Sequence, residues 1–365
     1  MMGNWARKKR LPTLLVVPSL LLVGAYFAAA SPPPPRLDQA QEILAGILPK
    51  SFWDLAPDRE GDLWHSNLLQ KRIVKITPAG KMMEVLEGAP LFPGGLEGPT
   101  CLSLWENLLA VEDGNRTIHI VDVKTRRHIQ TIPYKTLHGD IKMNPAFGFA
   151  LWKGRILFTG MGFEGPPPPF DQPAQVLTLF STGLDGRGLD VVKRETLSVQ
   201  TRPGRSLFGL GFAASLPGGG MAVCQALPAR LILLGPEGKV LRETVVPGLD
   251  VPDVPIVPLE VFMRGDLQLE MLATTPHVVG LFTVKGWVAL VLQRPSSLGP
   301  RLSVAWFSST LDLVKEEGIE WPVRLTKWDV VARVAYAPPN GVLFLVRHQA
   351  PGAAVSSRVF RSQVQ

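Results

Sequence analysis

The strongest constraint on this chain is a module of short apolar segments punctuated by turn residues. Residues 52–57 (FWDLAP) run into Asp58-Arg59-Glu60-Gly61, and residues 62–67 (DLWHSN) into a polar turn. Residues 72–77 (RIVKIT) meet Pro78-Ala79-Gly80-Lys81, and residues 82–87 (MMEVLE) end at Gly88. Four such segments between residues 52 and 88 leave no room for helices. Glycine supplies the positive φ and proline the preset φ that tight turns need, so the spacing predicts an antiparallel meander.

The same grammar returns one module later: Leu63 and Leu108, Ile73 and Ile118, and Ile76 and Val121 are each 45 residues apart. Strands are predicted there at residues 100–104, 108–112, 117–122 and 128–132. A third copy of the pattern, residues 229–246 (ARLILLGPEGKVLRETVV), superposes on residues 71–88 with Gly238 over Gly80 and Lys239 over Lys81. Four-strand units at this period predict an all-β fold, a six-bladed β-propeller, its sheets stacked around a central channel. Further units are predicted at residues 146–192, with an insertion over 160–174, and at 207–246, 267–317 and 330–364. Seven blades is the alternative count, because residues 51–365 hold seven lengths of 45. The last unit shows about three strands, which predicts that residues 45–51 pair with it and close the ring. An open ring would leave an unpaired edge and an unburied face.

Ahead of the repeats, Arg7, Lys8, Lys9 and Arg10 precede twenty uncharged residues, 11–30, that end in Ala28-Ala29-Ala30. A basic flank, an apolar stretch and small terminal residues are the parts of a secretory signal, and Ser31 would then begin the mature chain. Twenty residues also span a bilayer core of about 30 Å, so an uncleaved anchor is the other reading of residues 1–30. Both leave the basic cluster in the cytoplasm and carry the rest across. The expectation is a periplasmic, extracellular or membrane-tethered domain over residues 51–365, touching the membrane through the N-terminal segment alone. Residues 31–50 read as a spacer, with Pro32 to Pro35 stiff and extended and residues 37–48 a short amphipathic helix.

Composition excludes two classes. With 46% hydrophobic residues the chain is globular in spite of its 35 Gly and 34 Pro. The net charge of +7 is no nucleic-acid signature: setting aside residues 7–10 leaves 34 basic residues of the 38 against 31 acidic, without a dense patch.

The run DLAPDREGDLWHSN followed by KRIVKITPAGKMMEVLEG resembles the NHL-type repeat of bacterial six-bladed propellers, with its acidic Gly turn, aromatic strand, basic-aliphatic strand and x-Gly-Lys turn. The likeness is good over residues 52–133, fair over 229–246 and weak elsewhere. It implies the fold. Some relatives of this architecture are metal-dependent lactonases, lyases or amidating enzymes with sites in the central channel, and that implies Asp54, Glu97, Asn144 and Glu260 as inner-strand channel or metal candidates. Ca²⁺ would need several of their oxygens at about 2.3–2.6 Å. The competing reading of these residues is structural, as turn, blade-edge or hydrated channel groups.

No other motif accumulates. His65, His119, His128, His138, His277 and His348 lack zinc-ligand spacing, and His65, on a strand beside Trp64, is expected to face solvent. Cys101 and Cys224 fall in different units and read as buried thiols. Trp53, Trp64, Trp105, Trp152, Trp287 and Trp306 read as packing between blades. Residues 160–170, with Phe163, Glu164 and Phe170 around four prolines, read either as a rim loop that binds a partner or as a lid packed on its own protein. The leading expectation is therefore a recognition or scaffold module for a protein, peptide or glycan, with no assigned cofactor. A cation-dependent channel enzyme and a structural envelope component are the alternatives.

Overall fold

The computed structural model describes residues 33–45, 52–114, 117–134, 137, 141–143, 148–209, 211–226, 229–246, 256–350, 352–353 and 355–365. The leader reading of residues 1–30 and the candidate Asn144 lie outside them.

Six antiparallel sheets follow one another along the chain, the six-bladed propeller expected from the repeat. Strand β1 (Gln41–Ile43) stands apart from the first of them. Blade 1 is β2 (Phe52–Pro57), β3 (Leu63–Asn67), β4 (Arg72–Ile76) and β5 (Met82–Leu86). Blade 2 is β6 (Pro99–Trp105), β7 (Leu108–Asp113), β8 (Thr117–Asp122) and β9 (Arg127–Pro133). Blade 3 holds β10 (Ile141–Met143), β11 (Gly148–Trp152), β12 (Arg155–Glu164), β13 (Ala174–Gly183) and β14 (Asp190–Leu197), with β10 and β11 both pairing β12. Blade 4 is β15 (Gly211–Ser215), β16 (Met221–Gln225), β17 (Arg230–Leu234) and β18 (Val240–Val245), entered through helix α1 (Thr201–Phe208). Helices α2 (Leu259–Met263) and α3 (Gly265–Thr274) lead into blade 5, which is β19 (His277–Val284), β20 (Trp287–Arg294), β21 (Arg301–Phe307) and β22 (Leu313–Gly318). Blade 6 is β23 (Asp329–Ala337), β24 (Gly341–His348) and β25 (Ser356–Gln363), completed by β1.

The turns explain the strand lengths. In blade 1 the Asp58 carboxylate accepts the N–H groups of Glu60 at 3.1 Å and Asp62 at 2.9 Å, while Gly61 takes φ +85°. An L side chain is disfavoured at that φ, so the glycine fixes the reversal. Lys75, from the neighbouring β4, ties the turn down at 2.8 Å from Asp58 and 3.4 Å from Asp62.

The core lies between blades. One buried cluster fills each of the six junctions, from Trp64, Phe92 and Val111 between blades 1 and 2 to Leu55, Val74 and Leu343 between blades 6 and 1. Burying a tryptophan such as Trp64 or Trp306 stabilises by roughly 2–3 kcal/mol, which is why aromatic residues recur at these faces.

Three expectations are corrected. Residues 37–48 form no helix where described: Gln41, Glu42 and Ile43 pair with Arg361, Phe360 and Val359, and Leu37 bridges Val364. The free edge of β25 offers a ladder of backbone donors and acceptors that outweighs the helical spacing of the apolar residues. Closure of the ring is thus made by residues 41–43, and residues 46–51, where it was expected, lie outside the described ones. The insertion at 160–174 shrinks to residues 165–173, because β12 runs on to Glu164 and finds a partner in β10. Finally, His65 is buried rather than solvent-facing. Burial lowers its imidazole to about 4, so it is neutral in the blade.

Candidate functional site

The innermost strands β2, β6, β11, β15, β19 and β23 all contribute to a central channel of about 510 Å³. Because every blade repeats the same inner-to-outer order, these strands run in one direction and their first residues share one mouth. Trp53, Asp54, Thr100 and Cys101 line that mouth, together with Glu112 near the end of β7 and Arg347 near the end of β24. Arg347 pairs with Val330 at the start of β23, which brings it to the same level.

The channel is two-sided. Blades 6, 1 and 2 supply the charged groups, whereas blades 3, 4 and 5 present Gly148, Phe149, Gly211, Phe212, Leu281 and Phe282 with the uncharged hydroxyls of Thr159, Ser215 and Thr283. Glycine at 148 and 211 lets two blades approach closely. A Cβ on Gly148 would sit 2.4 Å from the Gly211 carbonyl oxygen, and one on Gly211 would sit 2.4 Å from Thr159 Cβ.

On the polar side the carboxylates are already engaged. Asp54 Oδ2 accepts the Leu102 N–H at 2.8 Å, and its Oδ1 lies 3.7 Å from Arg333 Nε. Arg333 also donates from Nη2 to the Leu102 carbonyl at 3.1 Å. Burial raises the Asp54 carboxyl above its ordinary range despite the Arg333 charge. Glu112 accepts the Tyr134 hydroxyl at 2.7 Å on Oε1 and the Thr100 hydroxyl at 3.0 Å on Oε2, and burial raises its carboxyl too. Burial and the nearby Glu112 push the Cys101 thiol well up, so it stays protonated and is a poor nucleophile. Arg347 lies with its guanidinium 4.2 Å over the Trp53 ring. Its basicity is lowered by burial and partly restored by the Asp54 charge.

Of the metal candidates among the described residues, Asp54 alone is placed in the channel. Glu97 stands with an exposed side chain ahead of β6, its N–H donated to Asp113 at 2.9 Å. Glu260 sits on α2, exposed, 3.9 Å from Arg264, and not on an inner strand. The chain turns helical after Pro258, breaks at the extended Arg264 and resumes as α3 to Thr274. Among the described residues no group of three His, Cys, Asp or Glu could hold a metal ion.

Phe163 is buried within β12, and Glu164 at its end pairs with Arg194 at 2.9 Å. Phe170 lies on the hairpin of residues 165–173, where the Arg202 guanidinium covers its ring at 4.8 Å. Arg202, from α1, also donates to the carbonyls of Pro168 at 2.8 Å, Gln172 at 2.9 Å and Pro169. Asp113, His119 and Thr131 line up as acid, base and hydroxyl, with His119 Nδ1 3.0 Å from Thr131 Oγ1 and Nε2 3.7 Å from Asp113. His119 is sealed inside blade 2 under Phe92, so the row joins strands and meets no substrate.

The residues that sequence reasoning missed are Trp53, taken for packing, and Arg333 and Arg347. The available signal was an arginine inside each of two otherwise apolar strands, VARVAYA and GVLFLVRH.

No family model matches the sequence, and no curated protein matches it. Its fold is similar to that of a DUF4221 family member from Bacteroides vulgatus, with a TM-score of 0.61 and 10% identity over 91% of this chain and 99% of that one. It is also similar to the PQQ-bound aldose sugar dehydrogenase of Streptomyces coelicolor, with a TM-score of 0.51 and 12% identity over 92% of this chain and 100% of that one. At these identities the likeness shows the fold alone.

Proposed function

We propose that this chain is an exported recognition module that receives part of a peptide or glycan in the polar mouth of its central channel. The observation that carries the reading is the two-sided channel itself, charged along blades 6, 1 and 2 and uncharged, with aromatic and aliphatic side chains, along blades 3, 4 and 5. Pockets that bind organic ligands share that design, an apolar wall with a few fixed polar groups. The engagement of Glu112 and Asp54 by donors of the protein favours binding over acid-base work, since a base needs a free oxygen near the substrate proton. The basic and apolar leader supports export.

Thermal melting against a panel of short peptides and oligosaccharides tests the reading. Ligands are expected to raise Tm in the native chain and to leave Ala214→Trp, which blocks the channel from its apolar side, unshifted. Equal shifts in both would place binding elsewhere. A calcium titration in the same assay should leave Tm unchanged, and a calcium-dependent rise would favour a cation-dependent channel enzyme instead.

A further inference from the structure

Within the mouth, donors outnumber acceptors on one side. Arg347 lines the channel yet donates to no described residue, and its Nε is sealed from solvent without a partner. Arg333 spends one Nη2 donor on the Leu102 carbonyl, and its Nε likewise lacks a hydrogen bond. Asp54 is the nearest acid to both, and its Oδ2 belongs to Leu102 N–H. Glu112 is satisfied by Tyr134 and Thr100. Arg347 therefore faces the channel with no hydrogen-bond acceptor among the described residues, beside an Arg333 that the Leu102 carbonyl and Asp54 Oδ1 engage only in part.

A buried guanidinium without hydrogen-bond partners is costly, and an incoming oxyanion removes that cost. The Trp53 ring fixes the plane of the Arg347 fork, so the pairing it offers is planar and two-pronged. That shape suits a carboxylate. A phosphate dianion would bring a second charge close to Asp54 and Glu112, which like-charge repulsion disfavours. The apolar wall opposite, with Phe149, Phe212 and Leu281, suits an uncharged body behind the anionic group.

From this geometry we infer that Arg347 and Arg333, on the Trp53 platform, form a carboxylate subsite at the polar mouth, so that the ligand is an acidic sugar or a chain end bearing a free carboxylate. The inference deepens the recognition reading and rests on it.

Calorimetric titration with matched pairs tests it: glucuronate against glucose, and N-acetyl-alanyl-alanine against its C-terminal amide. The acid in one of the pairs should bind the native chain roughly tenfold more tightly than its neutral partner, as a charge-assisted fork requires. Which pair shows the preference tells whether the carboxylate belongs to a sugar or a peptide. Arg347→Met and Arg347→Gln should lose the preference, and Arg347→Lys should keep only part of it. Equal affinity within both pairs, or no binding of either acid, overturns the subsite, as does a preference that survives in the Arg347 variants. Inorganic phosphate competing as well as the acid also overturns the carboxylate assignment. The native ratios decide the matter even where a variant fails to fold. Neutral members that bind, and are excluded by Ala214→Trp, would leave the channel reading standing while the subsite falls.

Discussion

Arg347 and Trp53 come from the two ends of the propeller's chain and meet as cation and ring at 4.2 Å across the junction of blades 6 and 1. Trp53→Leu should therefore loosen the guanidinium without opening the ring. The expected loss of stability is about 1–2 kcal/mol by urea unfolding, from the cation–π contact and part of the ring's burial. Carboxylate affinity in the titration should fall with it, while neutral ligands of the channel are less affected.

At Gly280 blades 5 and 6 approach closely, and an added Cβ would stand 2.4 Å from Val334 Cβ and Cγ2. Gly280→Ala is expected to destabilise by about 1–3 kcal/mol, the usual cost of overpacking. Val334→Gly should recover part of that loss in the double variant. Simple additivity of the two single effects would sink the explanation.

Two histidines make stability depend on pH. Burial lowers His65 and His277 to about 4 each, below the ordinary value of 6.5. The unfolded chain binds these protons first, so the stability they contribute is complete above pH 6.5 and is lost as pH falls toward 4. Raised carboxyls at Asp54 and Glu112 act in the opposite sense, losing stability as pH rises through their folded values. His277→Leu should flatten the fall in urea stability between pH 6.5 and 4.5, by at most about 3 kcal/mol. An unchanged slope would mean that His277 is not the group involved.

Ala40, fully buried beside the seam, donates its N–H to the Glu320 carbonyl at 2.9 Å. Ala40→Glu should force β1 off β25 and expose that edge. A drop in Tm with protease cleavage ahead of residue 52 is expected, since a buried unpaired charge costs several kcal/mol. Gln41→Ala, whose side chain is exposed, should leave both unchanged.

Arg202 is the fastener of the 165–173 hairpin. Arg202→Met should leave the global melt nearly unchanged while speeding proteolysis within residues 165–173, because few other contacts hold that hairpin. Cleavage spread evenly over the molecule would show instead that Arg202 supports the whole of blade 3.

The fold was legible because turn chemistry is local. Asp58 to Gly61 and Pro78 to Lys81 state where strands stop without reference to the rest of the chain. Blade 3 was harder, because Gly160, Gly162 and the prolines resemble a loop until β10 supplies a partner for the outer half of β12. The seam reads as a helix in sequence because β25, the strand that overrides the spacing, lies more than 300 residues away. Asp54 could be picked out as an acid in an apolar strand. The Trp53–Arg347 pair could not, because their meeting depends on the register of β23 with β24 and on closure of the ring.

Residues at the two sides of the seam are also joined backbone to backbone, Gln365 N–H to the Arg36 carbonyl at 3.0 Å and Asp38 N–H to the Gln363 carbonyl at 2.9 Å. Tension applied to the chain ahead of Arg36 thus falls first on this lap joint. The joint passes that load sideways into β25 and blade 6, and so spares the segment that leads on from β1 to blade 1.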